Sequence, residues 1–281
     1  MKILFCGPWF GEFGWEIVWQ GFCRKMVAKH DFDKVVVCSF KTSESLYSDF
    51  ADEFIEHDLY GKSHLFYMDA ENEELKAPSC YNYLIQKIHK KYRMKNYKKD
   101  IFFFHPKISN FLTKYYVIDM HGDHKKHGLY PLISTEKPIY DIIIHARKRK
   151  YVKYRNWEQK NWDNFIEKIS DKNLKIACVG TEAYALKNTI DLTNQSLDIT
   201  RQAIRSSKVM IGPSSGPMIL GLLENIPVLT WGPSKEEIPH VHLRYTNTWN
   251  FHKSPVRYIE NDDFNPSVEK VLEIYDDFCS N

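Results

Sequence analysis

Three clusters in this 281-residue chain have the residue types and spacing to do chemistry. The first is Gly212-Pro213-Ser214-Ser215-Gly216-Pro217, set between the apolar run Val209-Met210-Ile211 and the apolar stretch Met218 to Glu224. A strand that turns on small residues into a helix leaves backbone N–H groups unpaired at the positive end of the helix dipole. That place suits a phosphate or pyrophosphate. Ser214 and Ser215 add hydroxyl donors, and Gly216 admits a ligand close to the backbone. The same residues also fit an ordinary strand-to-helix turn with a serine cap and a proline in the first helical turn. The second cluster follows the apolar run Tyr140 to His145: Arg147, Lys148, Arg149, Lys150, Lys153 and Arg155. Arginine suits bidentate contact with phosphate oxygens, whereas a charge run taken alone is more often a solvated loop. The third is the corner Gly180-Thr181-Glu182 after the run Lys175 to Val179. It either flanks a nucleobase or ribose, or is a plain turn with Thr181 capping a short helix over 182–187.

A fourth candidate lies near the start, in GEFGWE at 11–16. Gly11 and Gly14 allow close backbone approach, and Glu12 and Glu16 offer carboxylates. A carboxylate poised over a cleft acts as a general base toward an acceptor hydroxyl. Glu12 is preferred, because Glu16 falls inside the helix that follows; the alternative is that Glu12 caps that helix and Trp15 packs. Phe13 and Trp15 stand beside it as acceptor contacts. The segment HKKYRMKNYKK at 89–99 adds Lys91 and Arg93, interleaved with Tyr92 and Tyr97. It either grips a polyanionic acceptor by charge and stacking, or is an exposed helix end whose cations favour the dipole. No Walker loop or HExxH occurs, and no DxD-like acidic pair follows a strand. His121, His124 and His127 are spaced three apart, but Gly122 and Gly128 argue for a loop, so no metal site is expected.

These residues need a scaffold, and the pattern predicts one. In the first half, strands are expected at Lys2 to Cys6, Lys34 to Phe40, Ser63 to Met68, Ile101 to Phe104 and Tyr115 to Ile118, with helices at Ile17 to Lys29, 43–54 and 81–99. In the second half, strands are expected at Tyr140 to His145, Lys175 to Val179, Asp191 to Thr193, Val209 to Ile211, Ile226 to Trp231 and Pro255 to Ile259. Helices are expected at Trp162 to Ile169, Ile199 to Ser206, Met218 to Glu224 and Pro266 to Phe278. Strands alternating with helices predict an α/β fold with parallel sheets, in two Rossmann-like domains facing a cleft. The boundaries are 1–135 for an acceptor-binding domain, 136–260 for a nucleotide-sugar domain, and 261–281 for a helix packing back on the first domain. The two prolines between Pro131 and Pro138 mark the linker.

Composition narrows the class. Hydrophobic residues make up 43% and charged residues 27%, as in a soluble globular protein, and a net charge of +3 is too small to demand a polyanionic partner. Aromatics reach 15%, which favours aromatic-lined clefts. Six scattered cysteines form no CxxC pair, so neither a zinc site nor a disulfide framework is expected. No apolar run is long enough to span a bilayer, so no integral membrane segment is expected, and a reducing cytoplasm is the simplest compartment.

The order of motifs in the second half resembles the GT-B glycosyltransferases, most closely the heptosyltransferase-like (ADP-heptose:lipopolysaccharide transferase) group. That family shows I-G-x-x-[ST]-G-x-x-H-x-A-x-x-x-x-x-P-x-[LV]-x-[LF]-[FW]-G. Here IGPSSGPMILGLLENIPVLTWG matches the glycines, the hydroxyls and Pro227, while Met218, Ile219 and Leu220 stand where the family has its histidine. The likeness covers roughly residues 140–235. In the family a Gly-Asp follows the first strand, and Gly11-Glu12 takes that place. The resemblance implies inverting transfer of a sugar from a nucleoside-diphosphate sugar, with Glu12 as base. Arg147, Arg155, Ser214, Ser215 and Gly216 would hold the donor diphosphate, and Gly180, Thr181 and Glu182 the nucleoside. Phe13, Trp15, Lys91 and Arg93 would meet the acceptor. No metal and no cofactor beyond the sugar nucleotide would be needed. The acceptor stays open between a glycan, phosphorylated or not, and a modified base in DNA. A sugar-nucleotide epimerase of the same fold and a non-catalytic nucleic-acid-binding protein are the competing readings.

Overall fold

The computed structural model describes residues 1–9, 13–57, 78–106, 116–118, 137–150, 152–250 and 252–280. The chain divides into two compact units, Met1–Tyr130 and Pro131–Asn281.

The first unit is built from β1 (Lys2–Cys6), α1 (Phe13–Lys29), β2 (Lys34–Phe40), β3 (Glu53–His57), α2 (Pro78–Lys95), β4 (Asp100–Pro106) and β5 (Tyr116–Ile118). Its sheet runs β3-β2-β1-β4-β5, and every pairing is parallel. Strands covered on both faces read as continuous apolar runs, which is why KILFC and KVVVCSF announce themselves. Ile3, Phe5, Val36, Cys38, Tyr92 and Phe103 pack as one cluster.

One expected helix is absent. A 3-10 helix over Lys41–Leu46 and a turn take the place of the helix expected at 43–54, and Glu53–His57 is a strand. The cause is tertiary. Glu16 of α1 is buried, and Ser39, Ser43 (2.8 Å) and Tyr47 (3.0 Å) all donate their hydroxyls to it. Asp52 then locks the next strand: its carboxylate accepts from Val35 N at 2.7 Å, and its N–H donates to Val35 O at 2.9 Å. The strand expected at 63–68 lies outside the described residues, as do His121, His124 and His127.

The second unit contains β6 (Tyr140–Ile144), α3 (Gln159–Ile169), β7 (Ile176–Gly180), β8 (Ile190–Thr193), α4 (Leu197–Arg205), β9 (Ser207–Pro213), α5 (Gly216–Leu223) and β10 (Val228–Gly232). It ends with α6 (Pro239–Leu243), a π-helical turn (Arg244–Thr248), β11 (Val256–Glu260) and α7 (Val268–Ser280). Its sheet runs β11-β10-β9-β6-β7-β8, all parallel. This is the doubly wound order. The chain builds outward from β6 to β8, then crosses to β9 and builds the other way. Ligands of such sheets bind past the carboxyl ends of the strands at that crossover, here between β6 and β9.

Local chemistry sets the helices. Ser196 caps α4 by accepting from Ile199 N at 3.3 Å. Arg201 (2.5 Å) and Arg205 (2.8 Å) then tie α4 to the buried Glu224 at the end of α5. Helix α5 rests directly on the sheet because Gly221 has no side chain: a Cβ there would lie 2.7 Å from Val228 Cγ2. Beneath α3 and α7, Trp157, Trp162, Phe165, Trp231 and Tyr275 form an aromatic core, with Trp157 and Trp231 5.1 Å apart. Each such side chain contributes roughly 1.5–3 kcal/mol or more on burial. The buried face of α7 (Val268, Val271 and Tyr275) is taken up in this core, where Tyr275 meets Phe165 at 6.1 Å. The helix matches the amphipathic spacing read over Pro266 to Phe278.

Candidate active site

At the crossover, the end of β6 is stitched to β9 by His145 N donating to Ile211 O at 2.9 Å. Gly212 makes the close approach possible: a Cβ there would lie 2.8 Å from both His145 O and Met218 Sδ. The His145 side chain is buried, with Nδ1 3.2 Å from Val179 O, and burial, with Arg147 and Arg149 adding to it, lowers its pKa to about 4. It stays neutral and structural near pH 7. Gly180, at φ +101°, presses against this ring, and a Cβ there would lie 2.5 Å from Nδ1.

The turn after β9 is held from two sides. Ser214 N donates to Trp231 O at 2.8 Å. Ser215 N donates to Tyr245 Oη at 3.0 Å, and Tyr245 Oη donates back to Ser215 O at 3.1 Å. Helix α5 starts at Gly216, with Pro217 in its first turn, and the Ser215 side chain makes no capping bond. Its Oγ is buried without a hydrogen-bond partner. The serine-cap reading of this turn therefore does not hold. One of the backbone donors expected to face a ligand, Ser215 N–H, is already committed to Tyr245.

The basic loop after β6 is organised by Asn156. Its Oδ1 accepts from Arg147 Nη1 and from Arg149 N (3.2 Å), and its Nδ2 donates to Arg149 O at 2.8 Å. Arg147 is 3% exposed and also donates to Val152 O at 3.1 Å. Burial, together with repulsion from Arg149 and Arg155, lowers its pKa to about 10. Arg149 pairs with Glu182 at 2.9 Å. Arg155 differs: its guanidinium lies 5.1 Å over the Phe264 ring, and its Nε is buried without a hydrogen-bond partner. Phe264 and Ser214 are neighbours across Gly232, where a Cβ would lie 3.1 Å from Phe264 Cε1 and 3.2 Å from Ser214 Cβ.

The Gly180–Glu182 corner is not a helix start. Arg147 and Ala183 form an antiparallel bridge, Lys148 N donates to Glu182 O at 2.6 Å, and Tyr184 N donates to Ala146 O at 2.7 Å. Backbone spent on that pairing cannot turn into the helix expected over 182–187. Thr181 and Glu182 are exposed, with Glu182 at φ +50°. The structure thus gathers Gly180, Thr181, Glu182, Arg147, Arg155, Ser214, Ser215 and Gly216 at the carboxyl edge of one sheet. Sequence reasoning gave no role to Tyr245, Phe264 or Asn156; the first two stand in no periodic run or motif, and Asn156 sits in the basic loop, whose cations drew the attention.

In the first unit, the loop leaving β1 is pinned through Trp9. Gly7 has φ +106°, Trp9 N donates to Cys38 O at 3.0 Å, and His57 Nε2 lies 2.7 Å from Trp9 O. His89 Nε2 lies 2.8 Å from Gly7 O. Glu12 lies outside the described residues. Phe13 opens α1, and Trp15 is partly buried. Glu16 is enclosed by its three hydroxyl donors. Lys91 and Arg93 are exposed on α2, but Tyr92 between them is buried against Phe5 at 4.8 Å, and burial pushes its hydroxyl up to about 12. Tyr92 is therefore core, not a stacking platform. Among the described residues, no group of three or more His, Cys, Asp or Glu is placed to hold a metal ion.

No family model matches the chain, and no curated protein matches it in sequence. Solved structures do match in shape. A glycosyl transferase family 9 protein from Veillonella parvula superposes with a TM-score of 0.63 at 13% identity, covering 98% of this chain and 96% of that one. E. coli ADP-heptose LPS heptosyltransferase II gives 0.65 at 13% identity, covering 99% and 98%. E. coli heptosyltransferase WaaC with ADP gives 0.58 at 10% identity, covering 99% of both chains. The fold is that of the heptosyltransferase-like GT-B glycosyltransferases. At such identities the GT-B likeness is one of backbone path, and the side chains at the crossover are this chain's own.

Proposed function

We propose that this chain is an inverting, metal-independent glycosyltransferase that moves a sugar from a nucleoside-diphosphate sugar to an acceptor hydroxyl. One observation carries the reading: Arg155 Nε and Ser215 Oγ are both buried donors without hydrogen-bond partners, at the carboxyl edge of a doubly wound sheet. A buried donor left unpaired costs about 1–3 kcal/mol. A ligand rich in acceptor oxygens repays that cost, and a diphosphate beside three arginines is such a ligand. The GT-B neighbours that bear ADP or ADP-heptose in their names support the donor class.

In this reading Glu12 takes the proton from the acceptor hydroxyl. The oxygen attacks the anomeric carbon from the face opposite the diphosphate, forming the new C–O bond as the old one breaks. The departing diphosphate carries away the electron pair. Arg155, the Ser215 hydroxyl and the N–H of Gly216 stabilise it, working where charge develops. Arg147, buried and bonded to its loop, adds field and holds Arg149 and Asn156 in place. Gly180, Thr181 and Glu182 flank the nucleoside, and Ser214 fixes the turn. Phe13, next to Glu12, and Trp15, two residues further on, meet the acceptor. The acceptor itself is a glycan or a modified nucleic-acid base, and Lys91 and Arg93 would reach only one that extends onto the outer face of α2.

A thermal-shift comparison of ADP, UDP and GDP, with CMP as control, tests the donor site, because a ligand that binds only the folded state raises its melting point. One diphosphate should stabilise the protein; no response to any removes the reading. Arg155→Ala should weaken that diphosphate by about 10- to 100-fold, the worth of a charge-assisted hydrogen bond. Glu12→Gln should abolish turnover with nucleotide binding intact, and unchanged turnover would take Glu12 out of the mechanism.

A further inference from the structure

Residues 81–99 contain no aspartate or glutamate and seven cations: Lys87, Lys90, Lys91, Arg93, Lys95, Lys98 and Lys99. The whole chain has a net charge of +3, so everything outside this stretch is net negative. The positive charge is concentrated on α2 and the turn after it. Several cations elsewhere on the surface have carboxylate partners: Arg24 with Asp49, Lys34 with Glu53, Lys208 with Asp141, Lys270 with Glu273. Among the described residues, none of these seven side chains makes an ion pair.

The helix is two-sided. Ile85, His89 and Tyr92 are buried, while Lys87, Lys90, Lys91 and Met94 follow the i, i+3, i+4, i+7 spacing of a single exposed face. Complementing the helix dipole accounts for Arg93 and Lys95 in the last turn, but not for Lys87, Lys90 and Lys91 upstream or for Lys98 and Lys99 beyond. Solubility would account for the lysines and not for what stands among them. Met94 is 67% exposed and Tyr97 74% exposed, with Lys98 Nζ 5.5 Å over the Tyr97 ring.

From this unpaired basic face with an exposed methionine and tyrosine in its midst, we infer that the outer face of α2 and the turn 96–99 dock on an anionic lipid bilayer. Lysine ammonium groups sit at the headgroup level beside anionic phosphates, while their alkyl stems, Met94 and the Tyr97 ring reach the acyl boundary. A polybasic surface gains attraction with each cation that lies within a Debye length of the membrane. No described helix is long and apolar enough to cross a bilayer, so the contact is peripheral. Nucleic acid would use the same cations but has no use for an exposed methionine, and Tyr92, the ring best placed to stack, is core. The inference stands apart from the donor-site reading and does not need it.

Co-sedimentation of the full chain with vesicles tests it. Binding to phosphatidylcholine vesicles carrying about 30 mol% phosphatidylglycerol should exceed binding to phosphatidylcholine alone by at least about tenfold at about 0.1 M salt. The triple variant Lys87→Glu, Lys90→Glu, Lys98→Glu should lose at least about tenfold of it. Met94→Ser, which leaves the charge alone, should lose a few-fold. All four positions are exposed, and an unchanged melting point would confirm that the variants fold. Equal binding to neutral and anionic vesicles, an unaffected triple variant, or tighter binding to duplex DNA that is indifferent to Met94→Ser would each overturn the inference.

Discussion

A single hydroxyl at Tyr245 serves both backbone groups of Ser215, and the phenol is buried, which raises its pKa. Tyr245→Phe removes the donor and acceptor together and leaves an N–H and a C=O unpaired in a closed setting. The loss should be about 1–2 kcal/mol in urea unfolding, against a surface tyrosine-to-phenylalanine change that costs almost nothing. Gly180 makes the complementary case. Alanine there would need a left-handed backbone and would push into the His145 ring, so Gly180→Ala should cost more than about 1 kcal/mol in the same measurement. The sequence showed Ser214, Ser215 and Gly180 to be worth attention. It could not show Tyr245, because a contact across 30 residues leaves no local pattern.

Two loops that read as separate in the chain, 146–156 and 182–184, are a single element in space. Asn156 is the clamp. Asn156→Ala would release Arg147 Nη1 and both backbone groups of Arg149 at once. The expected outcome is a loss of about 1–3 kcal/mol and a donor KM raised several-fold with little change in kcat, since the loop would have to be reordered on binding. Buried parallel strands were legible because both faces are covered and the apolar run is unbroken. The segments misread as helix, 43–54 and 182–187, fail for one reason: each spends its polar groups on a partner distant in sequence, Glu16 in the first case and residues 146–148 in the second. Propensity describes a segment's own preference and not such a partner.

Across the whole molecule, buried neutral histidines link stability to pH. Burial lowers His89 in the first unit and His145 in the second to about 4, and it also holds His105 well below its ordinary value. The unfolded chain holds these groups near 6.5, so between 6.5 and 4 it binds more protons than the native state. Stability from this source is complete above pH 6.5 and drains away as pH falls toward 4. Between pH 6.5 and 5 the loss should be on the order of 2 kcal/mol per histidine. Urea midpoints across that range should fall steadily, and His145→Gln, which cannot titrate, should flatten the slope. The fold class was readable at this scale because alternating strands and helices admit few topologies. The bridge between Arg147 and Ala183 has a consequence for descent. Neither loop can lengthen alone without breaking its pairing with the other. Among lineages sharing this site, insertions and deletions in the two should therefore arise in concert, and a relative altered in only one should carry a compensating change at the position of Asn156.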